Sequence, residues 1–352
     1  MSSSLLTFCV ALLASVSLTW PVRALALRYG MVDQPGPRKV HLKPMPLLGG
    51  IAIYLGFVLA ILVFAVRENP QQQIAGILCG ATLLAGVGLL DDRGLLHHQV
   101  KLFIGMPVAA LFLLAAGIRA QFFSEFVPGG FGVLLDGLLT IVWVVGITAS
   151  FSILDHMDGI CAGIAATAAT FFTISAMLNG QTLVRTLGAA SVGAALGFLL
   201  WNFNPAKIFM GDGGAMMLGF LMATLGLKVR PDHVQFPLTW LVPVLILAVP
   251  IFDTTLVTIS RSRRGLLPFA SPGKDHTAHR LANSGFGCRG AVLLLYFVGA
   301  VSGSLALLIG RIPPMMAGIL AAALLPLAFF AALALERFPY ERQAKPKPPT
   351  AA

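Results

Sequence analysis

Seven of the chain's fourteen acidic residues, Asp33, Asp91, Asp92, Asp155, Asp158, Asp212 and Asp275, fall in the connections on one side of a series of apolar stretches. Carboxylates are costly near hydrocarbon, so their concentration at one membrane face points to chemistry. Asp91 and Asp92 are adjacent where an apolar stretch ends, and two such groups repel unless a cation lies between them or one stays protonated. A divalent ion resolves the conflict, and Mg²⁺ held by one or two carboxylates plus substrate phosphates is a common arrangement. Asp212 stands between glycines at the start of another apolar stretch, where the backbone can approach a ligand closely and a helix N-terminus favours anions. Helix capping is the structural alternative there, as it is for Asp158. Asp155 and Asp158 are three apart, so on a helical turn they would share a face and meet one ligand.

Basic side chains accompany these acids. Arg38, Lys39, His41 and Lys43 lie in a segment stiffened by prolines and glycines, which suits a phosphate-bearing substrate or, equally, a lipid headgroup. Further along, Arg261, Arg263 and Arg264 precede Lys274-Asp-His276-Thr-Ala-His279-Arg280. On one helical face this cluster could bind a diphosphate or stabilise a leaving group. A zinc site is disfavoured, since no cysteine and only two closely spaced histidines are at hand. Asp253 stands alone inside an apolar stretch, as a buried functional acid or a structural hydrogen-bonding group.

The elements that must position these residues are membrane helices. The chain is 57% hydrophobic and 11% charged, with a mean hydropathy of +0.87, far from a water-soluble domain. A helical span needs about 20 apolar residues. Eleven stretches qualify, at roughly 4–22, 47–66, 74–90, 102–118, 134–154, 160–178, 184–201, 213–227, 237–259, 290–310 and 313–335. The first has no positive segment before it, so it reads as a retained helix with the N-terminus outside, not a cleaved signal. Of the 24 Lys and Arg, seventeen then fall on the inner side and six on the outer, with Arg23 left in the first helix. That asymmetry fixes the orientation, and the net charge of +10 reflects topology and anionic lipid; nucleic acid is not implied. The fold class expected is an all-α integral membrane protein, a polytopic bundle of about eleven transmembrane helices with its site on the cytoplasmic face. Residues 1–335 form the transmembrane domain and 336–352 a disordered cytoplasmic tail. The four cysteines show no ligand spacing and read as packing residues.

Taken in order, these segments resemble the polyprenyl-phosphate N-acetylhexosamine-1-phosphate transferase family, glycosyltransferase family 4, over nearly the whole bundle from Asp33 to about Leu281. The family's Asp-Asp pair matches Asp91 and Asp92, and its Phe-x-Gly-Asp motif matches Phe209-Met-Gly-Asp212. Its Asn ten residues earlier matches Asn202, its Asp-Gly-x-Asp-Gly loop matches Asp155 to Gly159, and its histidine motif matches His276 and His279. The resemblance implies that Asp212, with Asp92, binds Mg²⁺, with Mn²⁺ as a substitute, and that Asp91 and Asp92 orient the lipid phosphate. It makes His156, Met157, Asp158 and Phe209 the uridine-facing set and places Lys101, His276, His279, Lys274 and Arg280 near the phosphates.

The activity implied is attack of a lipid phosphate oxygen on the β-phosphorus of a UDP-sugar, with release of UMP. The partners expected are a polyprenyl phosphate, a UDP-sugar and the inner (plasma) membrane, with a homodimer allowed. Two departures stand out: Ala149 and Ser152 replace usual asparagines, and His156 replaces a glycine. The Asp-His-x-x-His-Arg form resembles the hexosamine branch more than the muramoyl-pentapeptide branch, which is the alternative. A transporter predicts internal repeats and charges at span midpoints, and neither is clear. A non-catalytic scaffold is permitted by the changes at Ala149 and Ser152 but not favoured, since Asp91, Asp92, Asp212, His276 and His279 are all kept.

Overall fold

A computed structural model describes residues 2–35, 44–65, 69–231, 238–266 and 273–340. Arg38, Lys39, His41 and Lys43 lie outside the described residues. The rest is almost entirely helical, because long apolar runs in lipid must satisfy their backbone groups internally. The helices are α1 (Ser2–Arg28), α2 (Gly49–Phe64), α3 (Gln71–Asp92), α4 (Lys101–Ala115), α5 (Gly130–Leu154), α6 (Ile160–Leu178), α7 (Thr182–Asn202) and α8 (Gly211–Lys228). Then follow α9 (Leu238–Ile246), α10 (Ala248–Arg263), α11 (Thr277–Leu281), α12 (Gly287–Ile309) and α13 (Pro314–Glu336). The chain is an all-α, polytopic membrane protein.

Among the described residues seven helical segments are long and apolar enough to cross a membrane, or eight with the bent α9–α10 pair counted as one. Helices follow all eleven predicted stretches, but α2 and α4 are shorter apolar rods. The ninth stretch departs from expectation: α9 and α10 meet at Leu247 with a bend of 81°. Pro250 accounts for the break, since it has no N–H to offer the Ile246 carbonyl and its ring crowds that carbonyl. The last helix also runs one residue beyond 335, and the described chain stays packed to Tyr340, whose hydroxyl donates to Glu336 at 2.7 Å. The final residues, 341–352, lie outside the described set.

α8 is the axis of the bundle. Every residue from Gly213 to Leu227 is buried, as expected for a helix apolar on all sides. α3, α5, α2 and α6 surround it, α7 lies outside α6, and α1 closes against α7 and α2. α13, where only Ala317 is buried, keeps its apolar surface outward. Away from the acidic cluster Asp136 is fully buried, and its carboxylate accepts the backbone N–H groups of Phe122, Phe123 and Ser124 at 2.7–3.2 Å.

Two features set where α8 begins. The first is a backbone clasp: the short antiparallel pair β1 (Val32–Asp33) and β2 (Met45–Pro46) leads into Phe209 N–H donating to the Pro46 carbonyl at 2.8 Å. Gly49 and Gly50 N–H groups then donate to the Phe209 and Met210 carbonyls at 3.0 and 2.8 Å. The second is a close crossing of α3 and α8, where a Cβ on Gly88 would collide with the Gly213 backbone. Small residues permit such backbone contact between membrane helices.

Gly88→Val is therefore expected to force α3 from α8, at a cost of about 1–3 kcal/mol or more because backbone cannot yield as a side chain can. Gly86→Val, facing open space two residues earlier, serves as control. Thermal midpoints in detergent would separate the two, and equal midpoints would contradict the crossing described.

Candidate active site

α3 ends at Asp92 and α8 starts at Gly211, so their crossing brings Asp91, Asp92 and Asp212 together at one end of the bundle. The Asp212 backbone N–H donates to Asp92 Oδ1 at 2.9 Å, a direct use of an unpaired donor at a helix N-terminus. Gly211, at φ +72°, makes this possible: a side chain there would meet the left-handed penalty and the Asp92 carboxylate. Lys101, at the first residue of α4, inserts its ammonium between two acids. It donates to Asp91 Oδ2 at 2.7 Å and also pairs with Asp212 Oδ2. Ser152, near the end of α5, donates to Asp212 Oδ1 at 2.8 Å. All of these side chains are half-buried.

Asp155 joins the same group. It is the residue after α5, and it accepts no hydrogen bond among the described residues. Burial, followed by the negative charges of Asp212, Asp92 and Asp158, raises its carboxyl to about 8. Asp158 turns the other way: its Oδ2 accepts from Asn204 Nδ2 and the Ala206 N–H, both at 3.0 Å. Gly159, not Asp158, occupies the position before α6, so capping is not what Asp158 does. The shared helical face expected for Asp155 and Asp158 is not formed, because the segment between α5 and α6 is not helical.

Asn202 is also structural in its contacts. Buried at the end of α7, it accepts the Gly159 N–H at 3.0 Å and donates to the Ile208 carbonyl at 2.9 Å. Arg289 Nε reaches Asn204 at 3.0 Å, and the Tyr296 hydroxyl donates to the Gly159 carbonyl at 2.5 Å. The segments 155–159 and 202–208 are thus one unit, with half-buried Met157 packed on the core and half-buried Phe209 at its end.

The histidines form a second group. His156 stacks on His276 with ring centroids 4.2 Å apart and on His279 at 4.7 Å, each pair 29° from parallel. Burial, with the neighbouring His276 and His279, pushes the His156 imidazole well below its ordinary value. His276 precedes α11 in extended conformation, and its Nδ1 lies 2.8 Å from Asp253 Oδ2. Asp253 Oδ1 accepts the Thr277 N–H at 2.7 Å. Lys274 is half-buried near His279.

Arg280, expected to face the phosphates, is fully buried and engaged by protein alone. It donates to the Asp275 carbonyl at 2.8 Å, Ser260 Oγ at 3.2 Å, the Leu335 carbonyl at 3.1 Å and Glu336 Oε2 at 2.6 Å, and lies over the Tyr340 ring at 4.0 Å. Asp275 receives Arg261 at 2.7 and 3.0 Å and Arg264 at 2.5 Å. Burial alone would raise the Asp275 carboxyl, but those hydrogen bonds outweigh it and hold it down at about 2.

Comparison with known proteins bears on this arrangement. The model of the family described as Glycosyl transferase family 4 matches residues 74–230, the stretch from α3 through α8 that carries the acidic centre. A Bacillus subtilis (strain 168) protein named "Probable undecaprenyl-phosphate N-acetylglucosaminyl 1-phosphate transferase" is 36% identical over 296 residues, covering 84% of this chain and 81% of the relative. The chain belongs to glycosyl transferase family 4. A Mycobacterium tuberculosis (strain CDC 1551 / Oshkosh) decaprenyl-phosphate N-acetylglucosaminephosphotransferase is 35% identical over 317 residues, covering 81% of this chain and 77% of the relative. A Yersinia pestis undecaprenyl-phosphate alpha-N-acetylglucosaminyl 1-phosphate transferase is 27% identical over 299 residues, covering 82% and 80%.

In this family 4 chain the acidic centre offers oxygen donors only, from Asp91, Asp92, Asp155, Asp212 and the Ser152 hydroxyl, a set that fits a hard divalent cation. Lys101 stands among them as a fixed positive charge. Sequence reasoning singled out the acids but missed three roles. Ser152 drew notice only as a departure, and nothing in the spacing signalled its bond to Asp212. The Asp253–His276 pair spans 23 residues, and Asn204 is held from Arg289 in α12. No local pattern carries either.

Because the folded Asp155 carboxyl titrates near 8 against an ordinary 3.8, folded protein binds more protons than unfolded protein between those values. Its contribution therefore makes stability fall as pH rises from about 4 to 8 and level off above. In chelator-treated protein, thermal midpoints of Asp155→Asn are expected to decline less steeply over that window than those of the parent. Parallel profiles would contradict the burial described.

Proposed function

We propose that this transferase moves an N-acetylhexosamine-1-phosphate from a UDP-sugar to a polyprenyl phosphate, giving polyprenyl-diphosphate-sugar and UMP and initiating a cell-envelope glycan. The observation that carries the reading is the convergence of Asp91, Asp92, Asp155 and Asp212 around one lysine at a single end of the bundle. The relatives' printed names supply the class of lipid phosphate and of sugar. The Asp-His-x-x-His-Arg segment favours a UDP-N-acetylhexosamine over the muramoyl-pentapeptide alternative. By its charge asymmetry the site lies on the cytoplasmic face of the inner membrane, with the N-terminus outside and eleven spans in all.

The reaction joins two anions, so its main demands are charge neutralisation and alignment. A lipid phosphate oxygen attacks the β-phosphorus, the bond from that phosphorus to the bridging oxygen breaks, and UMP departs with the bridging oxygen. Mg²⁺, held by Asp212 and Asp92, supplies electrostatic stabilisation at the diphosphate when bound, and Mn²⁺ is its substitute. Asp91 keeps Lys101 in place, and Lys101 gives the incoming phosphate a cation. Ser152 fixes the rotamer of Asp212. The 155–159 and 202–208 unit, with Met157 and Phe209, forms the wall for the uridine, oriented by Asp158 and Asn202 through their loop bonds. Arg38, Lys39, His41 and Lys274 add positive charge for the phosphates. Direct attack needs no covalent enzyme intermediate.

Purified protein in detergent with undecaprenyl phosphate, Mg²⁺ and a panel of UDP-sugars is expected to release UMP with a UDP-N-acetylhexosamine. Asp212→Asn and Asp92→Asn are expected to lower turnover at least about 10²-fold, the scale of losing a main electrostatic group at a reacting centre, while still purifying as folded protein. Folded parent protein that releases no UMP with any sugar would overturn the proposal.

A further inference from the structure

The histidine group contains more than the phosphate-facing pair expected from sequence. His156, Asp253 and His276 come from three separate segments, and one ligand atom from each lies within 4.8 Å of the other two. Four-coordinate zinc, with bonds of about 2.0–2.2 Å, sets its ligand atoms about 3.3 Å apart. The three atoms are thus gathered to within about 1.5 Å of that spacing, with Asp253 Oδ2 and His276 Nδ1 hydrogen-bonded at 2.8 Å.

An independent observation points the same way. Among the described residues neither ring nitrogen of His156, both buried, has a hydrogen-bond partner, and the same holds for the buried hydroxyls of Thr254 and Thr277, which follow Asp253 and His276 directly in sequence. Buried polar atoms are almost always satisfied, so a buried imidazole with neither nitrogen engaged points to a ligand. An imidazole with both nitrogens orphaned is among the more costly groups to leave so. The surroundings also suit a ligand site. The Thr277 N–H fixes the other oxygen of Asp253 at 2.7 Å, the kind of outer contact that orients a metal-binding carboxylate. The donor chemistry differs from the acidic centre: two nitrogens and one oxygen select a borderline transition metal, whereas the oxygen-only set selects Mg²⁺.

We infer that His156, Asp253 and His276 form a second metal site, for a borderline divalent cation of the zinc class, separate from the acidic centre. Three protein ligands leave a fourth position open. His279 also stacks on the His156 ring, with centroids 4.7 Å apart. The sequence had argued against zinc on the ground of two histidines. The third arrives through residue 156, where the family loop usually has glycine.

Co²⁺ serves as the probe, because it replaces zinc and gives visible ligand-field bands when bound by nitrogen. Chelator-treated protein in detergent, titrated with Co²⁺ in excess Mg²⁺ and without substrate, is expected to develop those bands with about one equivalent bound. Asp212→Asn is expected to keep them. His156→Gly, which restores the usual loop residue, is expected to lose them, and Asp253→Asn carries the same expectation if the glycine variant does not purify folded. No bands in the parent, or bands lost in Asp212→Asn and kept in His156→Gly, would overturn the inference. The readout needs no turnover, so it stands or falls apart from the transferase proposal.

Discussion

The constraint on which this structure depends is electrostatic: carboxylates from three segments are gathered close enough to feel one another's charge beside hydrocarbon. Their repulsion in such a setting would separate the helices that carry them. Lys101 offsets part of it by bridging Asp91 and Asp212, and the start of α8 offsets more by giving Asp92 a backbone donor. Among the described residues Asp155 has no such partner, and burial, followed by the charges of its neighbours, pushes its carboxyl up to about 8. Such a centre keeps more acidic than basic groups, the charge balance that the proposed cation would offset. The bundle is organised around that need, with buried α8 carrying Asp212 to a fixed height and α3 packed on it through a contact between glycines.

Two kinds of rigidity frame the centre. The clasp of Pro46, Gly49, Gly50, Phe209 and Met210 is made from backbone alone, so it fixes the entrance to α8 whatever side chains do. The unit of Asp158, Asn202, Asn204 and Arg289 is made from side chains, and it ties three helix ends into one wall. Asp158 and Asn202 therefore hold the shape of this wall. A polar residue at a membrane face is as readily structural as functional until its partners are known.

The helices were legible because membrane insertion depends on apolar length, which a sequence displays directly. Asp91, Asp92 and Asp212 were legible because carboxylates beneath apolar spans are conspicuous by cost. The bend between α9 and α10 was less so, since hydropathy is blind to a single proline in a continuous apolar run. The parting of Asp155 from Asp158 was hidden because the i, i+3 rule presumes a helix that the loop does not form. Arg280 was misplaced for a similar reason: a cationic motif beside histidines suggests phosphate, while three of its actual partners, Leu335, Glu336 and Tyr340, are more than fifty residues away in sequence. His156 showed as a departure, and only its stacking partners disclose a purpose.

That long-range attachment of Arg280 has a bearing on biogenesis. The histidine segment is anchored on Glu336 and Tyr340, the end of the last helix, and chains enter the membrane from the N-terminus onward during synthesis. The acidic centre can assemble once α8 is in place, but the arginine behind the histidines waits for α13, five helices later, to emerge. Until then a buried guanidinium lacks its counter-charge. The packing behind the histidines is thus completed later than the acidic centre, a sequence of events set by the order of the helices.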